Sequence, residues 1–106
     1  NHFSQEQSRG AQVFFAHTGG SRELAQLAQE HIRCAADPNN RRSSKEASSV
    51  YILKNINCTG ILVECGFLSN PEEAMKLQDA LYQKKLTCAL CCAVAEYLEG
   101  TNNHEV

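Results

Sequence analysis

Residues 61–73 read ILVECGFLSNPEE, an aliphatic run that meets a carboxylate and then turns through Gly, Ser, Asn and Pro. A short continuous apolar run such as Ile61-Leu62-Val63 predicts a strand covered on both faces, as in a parallel or mixed sheet flanked by helices. After the turn, Asn70 is placed to cap a helix with Pro71 at its first position and Glu73 at its third. That is a capping-box arrangement, with the acids disposed to favour the helix dipole. Strand, turn and helix in this order set the expectation for the rest of the chain.

Working upstream, GAQVFF (residues 10–15) predicts a second strand, because Val13, Phe14 and Phe15 favour extended structure and a His-Thr-Gly-Gly turn follows. Ser21 reads as a helix cap. Beyond it Leu24, Leu27, Ala28, His31, Ile32 and Ala35 recur at helical spacing and end before Asp37 and Pro38. NNRRSSKEASS has no period and reads as loop, and VYIL (50–53) as a short strand or extended segment. Downstream, Asp79 offers a second cap, which predicts a short helix, a bend and a longer helix to about Leu98, with Gly100 as the stop. Strands interleaved with helices give the expected fold class: α/β, with a mixed or mostly parallel sheet flanked by helices.

The totals restrict function. A chain of 106 residues supports one modest core, and 10 Lys plus Arg against 12 Asp plus Glu leave a formal charge of -2. Such a balance does not hold nucleic acid. No apolar stretch reaches the ~20 residues of a membrane span, and NHFSQEQSRG is polar rather than signal-like. Of six cysteines, Cys88, Cys91 and Cys92 fall within LTCALCCAVAEYL, which reads as helix. They are expected to be buried thiols behaving as small hydrophobes, since no second ligand pair accompanies them. Cys34, Cys58 and Cys65 are scattered singly, which fits a reducing setting better than a disulfide framework.

Glu64 is the candidate for chemistry. Ligands of open α/β sheets bind outside the carboxyl ends of strands, and Glu64 ends the strand with the most apolar sequence. An ionised carboxylate is rarely buried without a partner, because desolvation costs several kcal/mol. An apolar surrounding lifts a carboxyl group towards neutrality, where it can both take and return a proton. The structural alternative is an acid satisfied by amides of the helix near Asn70, or by Arg42, Lys45 or Lys54. The residues alone leave both open. A cysteine nucleophile at Cys65 ranks lower, since alternation along a strand turns it away from Glu64.

The order ILVECGFLSNPEEA resembles a motif of the zinc-dependent N-acetylmuramoyl-L-alanine amidases, the amidase-3 family, in which a V-L-V-E-x-G-F-[LI]-S-N strand carries the catalytic Glu. SRGAQVFF, the RR-x-x-K-E-A-x-x-x-Y-I-L stretch and LYQKKLTCALCCAVAEYL resemble family segments on either side, so the likeness covers nearly the whole chain. It implies that residues 1–106 are the C-terminal portion of a single catalytic domain, incomplete relative to the family's full domain. It implies hydrolysis of the amide between N-acetylmuramic acid and L-alanine of peptidoglycan, at the cell wall or outside the cell. Glu64 would be the general base, and Phe67, Leu68, Ser69 and Asn70 would form the adjoining turn that shapes the substrate cleft. Arg42 and Lys45 read first as solvated loop charges, with an approach to acidic groups of the stem peptide as the lesser reading.

The family's D-P-G-H-G-G turn, downstream Glu and S-I-H-x-N segment, which hold its zinc, have no counterpart in this sequence. Asn1 corresponds to the Asn closing the last of these. The likeness therefore implies zinc in the complete domain and no metal ligand in this chain, which alone would be inactive. His2, His17, His31 and His104 show no helical zinc spacing. The rival reading is a non-catalytic remnant or binding module that self-associates through apolar surface left uncovered.

Overall fold

The computed structural model describes residues 8–47 and 49–103, the side chains of Asn102 and Asn103 apart. The elements are β1 (Gln12–Phe15), α1 (Ser21–Ala35), β2 (Lys45–Glu46), α2 (Tyr51–Asn55), β3 (Ile61–Glu64), α3 (Pro71–Gln78) and α4 (Ala80–Asn103). The β-favouring run QVFF forms the central strand of a mixed sheet ordered β2-β1-β3. β2 runs parallel to β1, and β3 runs antiparallel with Gln12 opposite Glu64 and Phe15 opposite Ile61.

Alternation divides the strands between two environments. Val13 and Phe15, with Ile61 and Val63 alongside, pack against Ala25, Ala28 and Ile32 of α1 and Tyr82, Leu86, Ala89 and Ala93 of α4. Alanines on both helices let their backbones approach closely. On the opposite face Phe14 and Leu62 join Ala16, Ala47 and Leu53 in a smaller cluster. Glu64 shares the face of Leu62 by this alternation, beside Gln12.

Several expectations need correction. β3 is not covered on both faces: all of its residues are half-buried, and among the described residues no strand pairs with its outer edge. In VYIL, Val50 is extended, as the N-cap of α2, but Tyr51, Ile52 and Leu53 are helical, with only Leu53 of α2 buried and Tyr51 81% exposed. The end of β1 leaves it no edge to pair with, since Phe15 O accepts Ala47 N–H at 3.1 Å and Ala16 N–H donates to Gly60 O at 3.1 Å. The strand that does form, β2, is two exposed charged residues within the stretch read as loop.

Cys88, Cys91 and Cys92 are exposed, as are Cys34, Cys58 and Cys65, and all six are free. The buried stripe of α4 runs through positions 82, 86, 89 and 93, which turns the thiols outward. In α1 the buried positions are Ser21, Ala25, Ala28, Gln29 and Ile32, so the stripe is displaced from the one read, and Ala35 is exposed. Gly20, in left-handed conformation, is the N-cap, and Ser21 is the first helical residue. The Ser21 hydroxyl is taken by Gly60, whose amide donates to it at 3.0 Å, and by Thr18 Oγ1 at 2.8 Å. Asp79 caps α4 as read, its Oδ2 accepting Tyr82 N–H at 3.0 Å, but the helix passes through Gly100 to Asn103. The tail beyond residue 103 lies outside the described residues.

Because β2 is so short, the first half of β1 has no strand beside it on that edge. Gln29 of α1 substitutes for one, its Oε1 accepting Val13 N–H at 2.9 Å and its Nε2 donating to Ala11 O at 3.0 Å. Asn40 Nδ2 also donates to Ala11 O, at 3.0 Å. Gln29→Leu therefore leaves the buried Val13 amide alone without a partner. The expected loss is about 1–3 kcal/mol of unfolding free energy, read from urea denaturation, and an unchanged midpoint would contradict this role.

Candidate functional site

β3 delivers Glu64 to the open edge of the sheet. There Val63, Glu64, Cys65, Gly66, Leu68 and Leu77 line a shallow depression of about 350 Å³. Glu64 is half-buried, and its carboxylate makes no hydrogen bond or ion pair among the described residues. None of the partners considered for a structural role engages it. Arg42 donates instead to Arg9 O at 2.9 Å and Gln12 Oε1 at 3.3 Å, and stacks 4.8 Å from the centroid of the Phe67 ring. Lys45 and Lys54 are exposed.

The turn after β3 is built from the inside. Phe67 is buried beneath Arg42. Asn70, 2% exposed, accepts Glu72 N–H at 3.0 Å and Glu73 N–H at 3.3 Å, and its Nδ2 donates to Ser8 O at 3.1 Å. Its cap is thus the one read from sequence. The reciprocal half of the capping box is absent: Asn70 N–H donates to Phe67 O, and the Glu73 carboxylate reaches Gly10 N–H at 2.8 Å. Ser69 Oγ is buried with no hydrogen-bond partner among the described residues. Leu68, placed in this turn by the sequence reading, is its exposed member and lines the depression beside Glu64.

Cys65 lines the same depression, contrary to the alternation argument, because β3 ends at Glu64 and the pleat no longer governs the next residue. Partial withdrawal from water pushes the Cys65 thiol up, which disfavours the thiolate a nucleophile needs. His17 is exposed in its turn, and His31 Nε2 lies 2.8 Å from Glu96 Oε1. His2 and His104 lie outside the described residues. Among the described residues no three His, Cys, Asp or Glu side chains are grouped to hold a metal ion.

A larger cavity of about 560 Å³ lies beside the Asn70 turn, lined by Ser8, Gly10, Arg41 and Glu73 among others. Much of its charge is paired internally, with Lys76 Nζ 3.7 Å from Asp37 and 3.6 Å from Glu73, and Arg9 3.8 Å from Glu72. Lys76 also lies over the Tyr82 ring. Burial, then the charges of Asp37 and Glu73, pushes the Tyr82 hydroxyl up to about 12, so it stays protonated.

A mixed sheet that ends an edge strand in an acid without a side-chain partner among the described residues, followed by a capped helix, defines the class: an α/β domain with a candidate functional carboxylate at a strand end. Residues 1–96 match the Amidase_3 family, described as N-acetylmuramoyl-L-alanine amidase, and the chain belongs to that family. The germination-specific N-acetylmuramoyl-L-alanine amidase of Bacillus subtilis (strain 168) is 29% identical over 94 residues, covering 89% of this chain and 39% of that protein. The CwlD amidase of Clostridioides difficile, solved in complex with the GerS lipoprotein, superposes with a TM-score of 0.88 at 37% identity, covering 93% of this chain and 51% of that one. An N-acetylmuramoyl-L-alanine amidase from Clostridium difficile 630 gives a TM-score of 0.83 at 29% identity, covering 93% and 54%. The chain thus spans about half the length of the solved relatives and less of the Bacillus protein.

The environment of Cys65 makes its reactivity testable. Its alkylation by iodoacetamide should still accelerate as pH rises past the thiol's ordinary value of 9.0. Faster labelling at Cys65 than at every other thiol at pH 7, followed by mass spectrometry, would contradict this and revive a thiol nucleophile.

Proposed function

We propose that this chain is the base-bearing portion of a peptidoglycan amidase that hydrolyses the bond between the lactyl group of N-acetylmuramic acid and L-alanine. The observation that carries the reading is Glu64. In a chain of the Amidase_3 family, the motif acid stands at a strand end, its carboxylate without a partner among the described residues. A carboxylate so placed takes a proton from the water that attacks the lactyl carbonyl carbon. As the carbon–nitrogen bond breaks, it returns that proton to the departing amine of L-alanine. Leu68 offers an apolar wall for substrate beside it. Phe67 and Asn70 shape the cleft through the turn they hold, since their side chains face inward, and Ser69 belongs to the same turn.

The family likeness implies zinc, which when bound in a complete domain would supply Lewis-acid polarisation of the carbonyl and a more acidic water. The described residues do not fit the ion on their own, because no three ligand side chains converge among them. The ligands are assigned to the rest of the amidase domain, and the proton path above runs through Glu64. The substrate places the action at the cell wall or outside the cell. A lipoprotein partner, such as the one the Clostridioides relative binds, belongs to the same proposal.

The alternative, a non-catalytic module that self-associates, draws on the outer edge of β3, unpaired among the described residues, and on exposed Leu81, Val94 and Leu98 of α4. It requires sedimentation velocity to show concentration-dependent dimers. For the amidase reading, Glu64→Gln within the complete amidase domain should lower release of L-alanyl peptide from muramyl peptide by about 10²–10⁴-fold while circular dichroism is unchanged. Full activity in that variant would remove Glu64 from the mechanism.

A further inference from the structure

α4 carries apolar residues on two sides. One stripe, through Tyr82, Leu86, Ala89 and Ala93, is buried in the core. On the opposite side Leu81, Lys84, Cys88, Cys91, Ala95 and Leu98 recur at alternating intervals of three and four residues, all of them exposed. That spacing is the seam of a two-stranded coiled coil, and Lys85 and Cys92 adjoin it. Leu81 and Leu98, towards its two ends, are 58% and 53% exposed. Free cysteine is among the most often buried residue types, yet Cys88, Cys91 and Cys92 all lie on this face. A helix that is apolar on two sides is ordinarily covered on both.

The charges of α4 point to what covers it. Its basic residues, Lys84 and Lys85, stand near its start, and its acidic residues, Glu96 and Glu99, near its end. This order opposes the helix's own dipole, which favours acids at the start and bases at the end. It suits an antiparallel copy of the same helix. A two-fold axis between Cys91 and Cys92 brings Lys84 level with Glu99 of the second copy and Cys88 level with Ala95, since the members of each pair are equally far from that axis in sequence. Symmetry repeats each contact. A parallel copy would instead set Lys84 against Lys84 and Glu99 against Glu99. Glu96 is already held by His31 Nε2 at 2.8 Å, whereas Lys84 and Glu99 have no partner among the described residues.

We propose that the outer face of α4 is a self-interaction surface, on which a second copy of this chain packs antiparallel about a two-fold axis between Cys91 and Cys92. The small side chains at 88, 91, 92 and 95 let the two helices approach closely, which accounts for thiols that the isolated chain leaves exposed. α4 covers the sheet face of Val13 and Phe15, and Glu64 is on the other face, so both copies keep that carboxylate accessible. The dimer therefore does not depend on the amidase reading, and its formation does not favour the non-catalytic one, which Glu64→Gln decides. A single helix pair is at the small end of specific interfaces, and a dissociation constant on the order of micromolar is expected.

The test is sedimentation velocity of the reduced chain across the micromolar range, which should show a concentration-dependent dimer. Lys84→Glu sets an acid against Glu99 of the second copy at both contacts and should weaken association by about tenfold or more. Glu99→Lys should do the same by setting bases together. Mixing the two variants restores opposite charges at both contacts, so a heterodimer should form about as tightly as the unaltered dimer. Each substitution brings α4 into line with its dipole, so circular dichroism should show both variants folded. A monomer at every concentration would overturn the proposal. So would dimers that both variants leave unchanged, which would assign association to another surface such as the β3 edge, and so would a mixture that fails to associate. In the complete amidase domain, Cys91 and Cys92 resisting maleimide in a monomer would give this face to the rest of that domain and overturn it equally.

Discussion

Everything at the candidate site depends on the antiparallel register between β1 and β3. Side chains alternate along a strand, so a slip of one residue would exchange the faces of the whole ILVE segment. Val63 would leave the α1–α4 core, and Glu64 would turn into it, an uncompensated carboxylate among Val13, Ala89 and Ala93. The core residues of β3 thus fix the direction of the acid that follows them. Packing on one face of the sheet determines the chemistry available on the other.

The helical layer supplies the rigidity behind this register. Ala25 and Ala28 of α1 and Ala89 and Ala93 of α4 are almost wholly inaccessible, and small side chains at these positions bring the two helices close over Val13 and Phe15. On the opposite face the cover is thinner, with Ala16, Ala47 and Leu53 at one end and the polar Gln12 and Glu64 at the other. Gln12 is itself held, its Nε2 donating to Ser43 O at 2.7 Å. Among the described residues the Glu64 side chain, unlike that of Gln12, has no bonding partner.

What could be read from sequence was local. The ILVE strand, the Asn70 and Asp79 caps and the mixed α/β class each follow from a few adjacent residues whose preferences agree. The resemblance carried by ECGFLSNPEE added the family and the choice of Glu64, which position alone had left undecided. What could not be read was the outcome of long-range competition. VYIL has strand composition, but β1 has no free edge for it, a fact set by Ala47 and Gly60. The thiols of α4 have core composition, but alanines at 89 and 93 take the buried stripe. Glu73 has the spacing of a capping box, yet its partner is Gly10, 63 residues away, and no local pattern shows that.

The central claim is that Glu64 stands opposite Gln12, on the face away from α1 and α4. Cross-strand nuclear Overhauser contacts between the backbone protons of β1 and β3 measure this directly. The account predicts contacts linking Gln12 with Glu64 and Phe14 with Leu62, and contacts from Val63 methyls to Ala28 or Ala89. Contacts pairing Gln12 with Val63 or with Cys65, or the Glu64 side chain with those alanines, would contradict it.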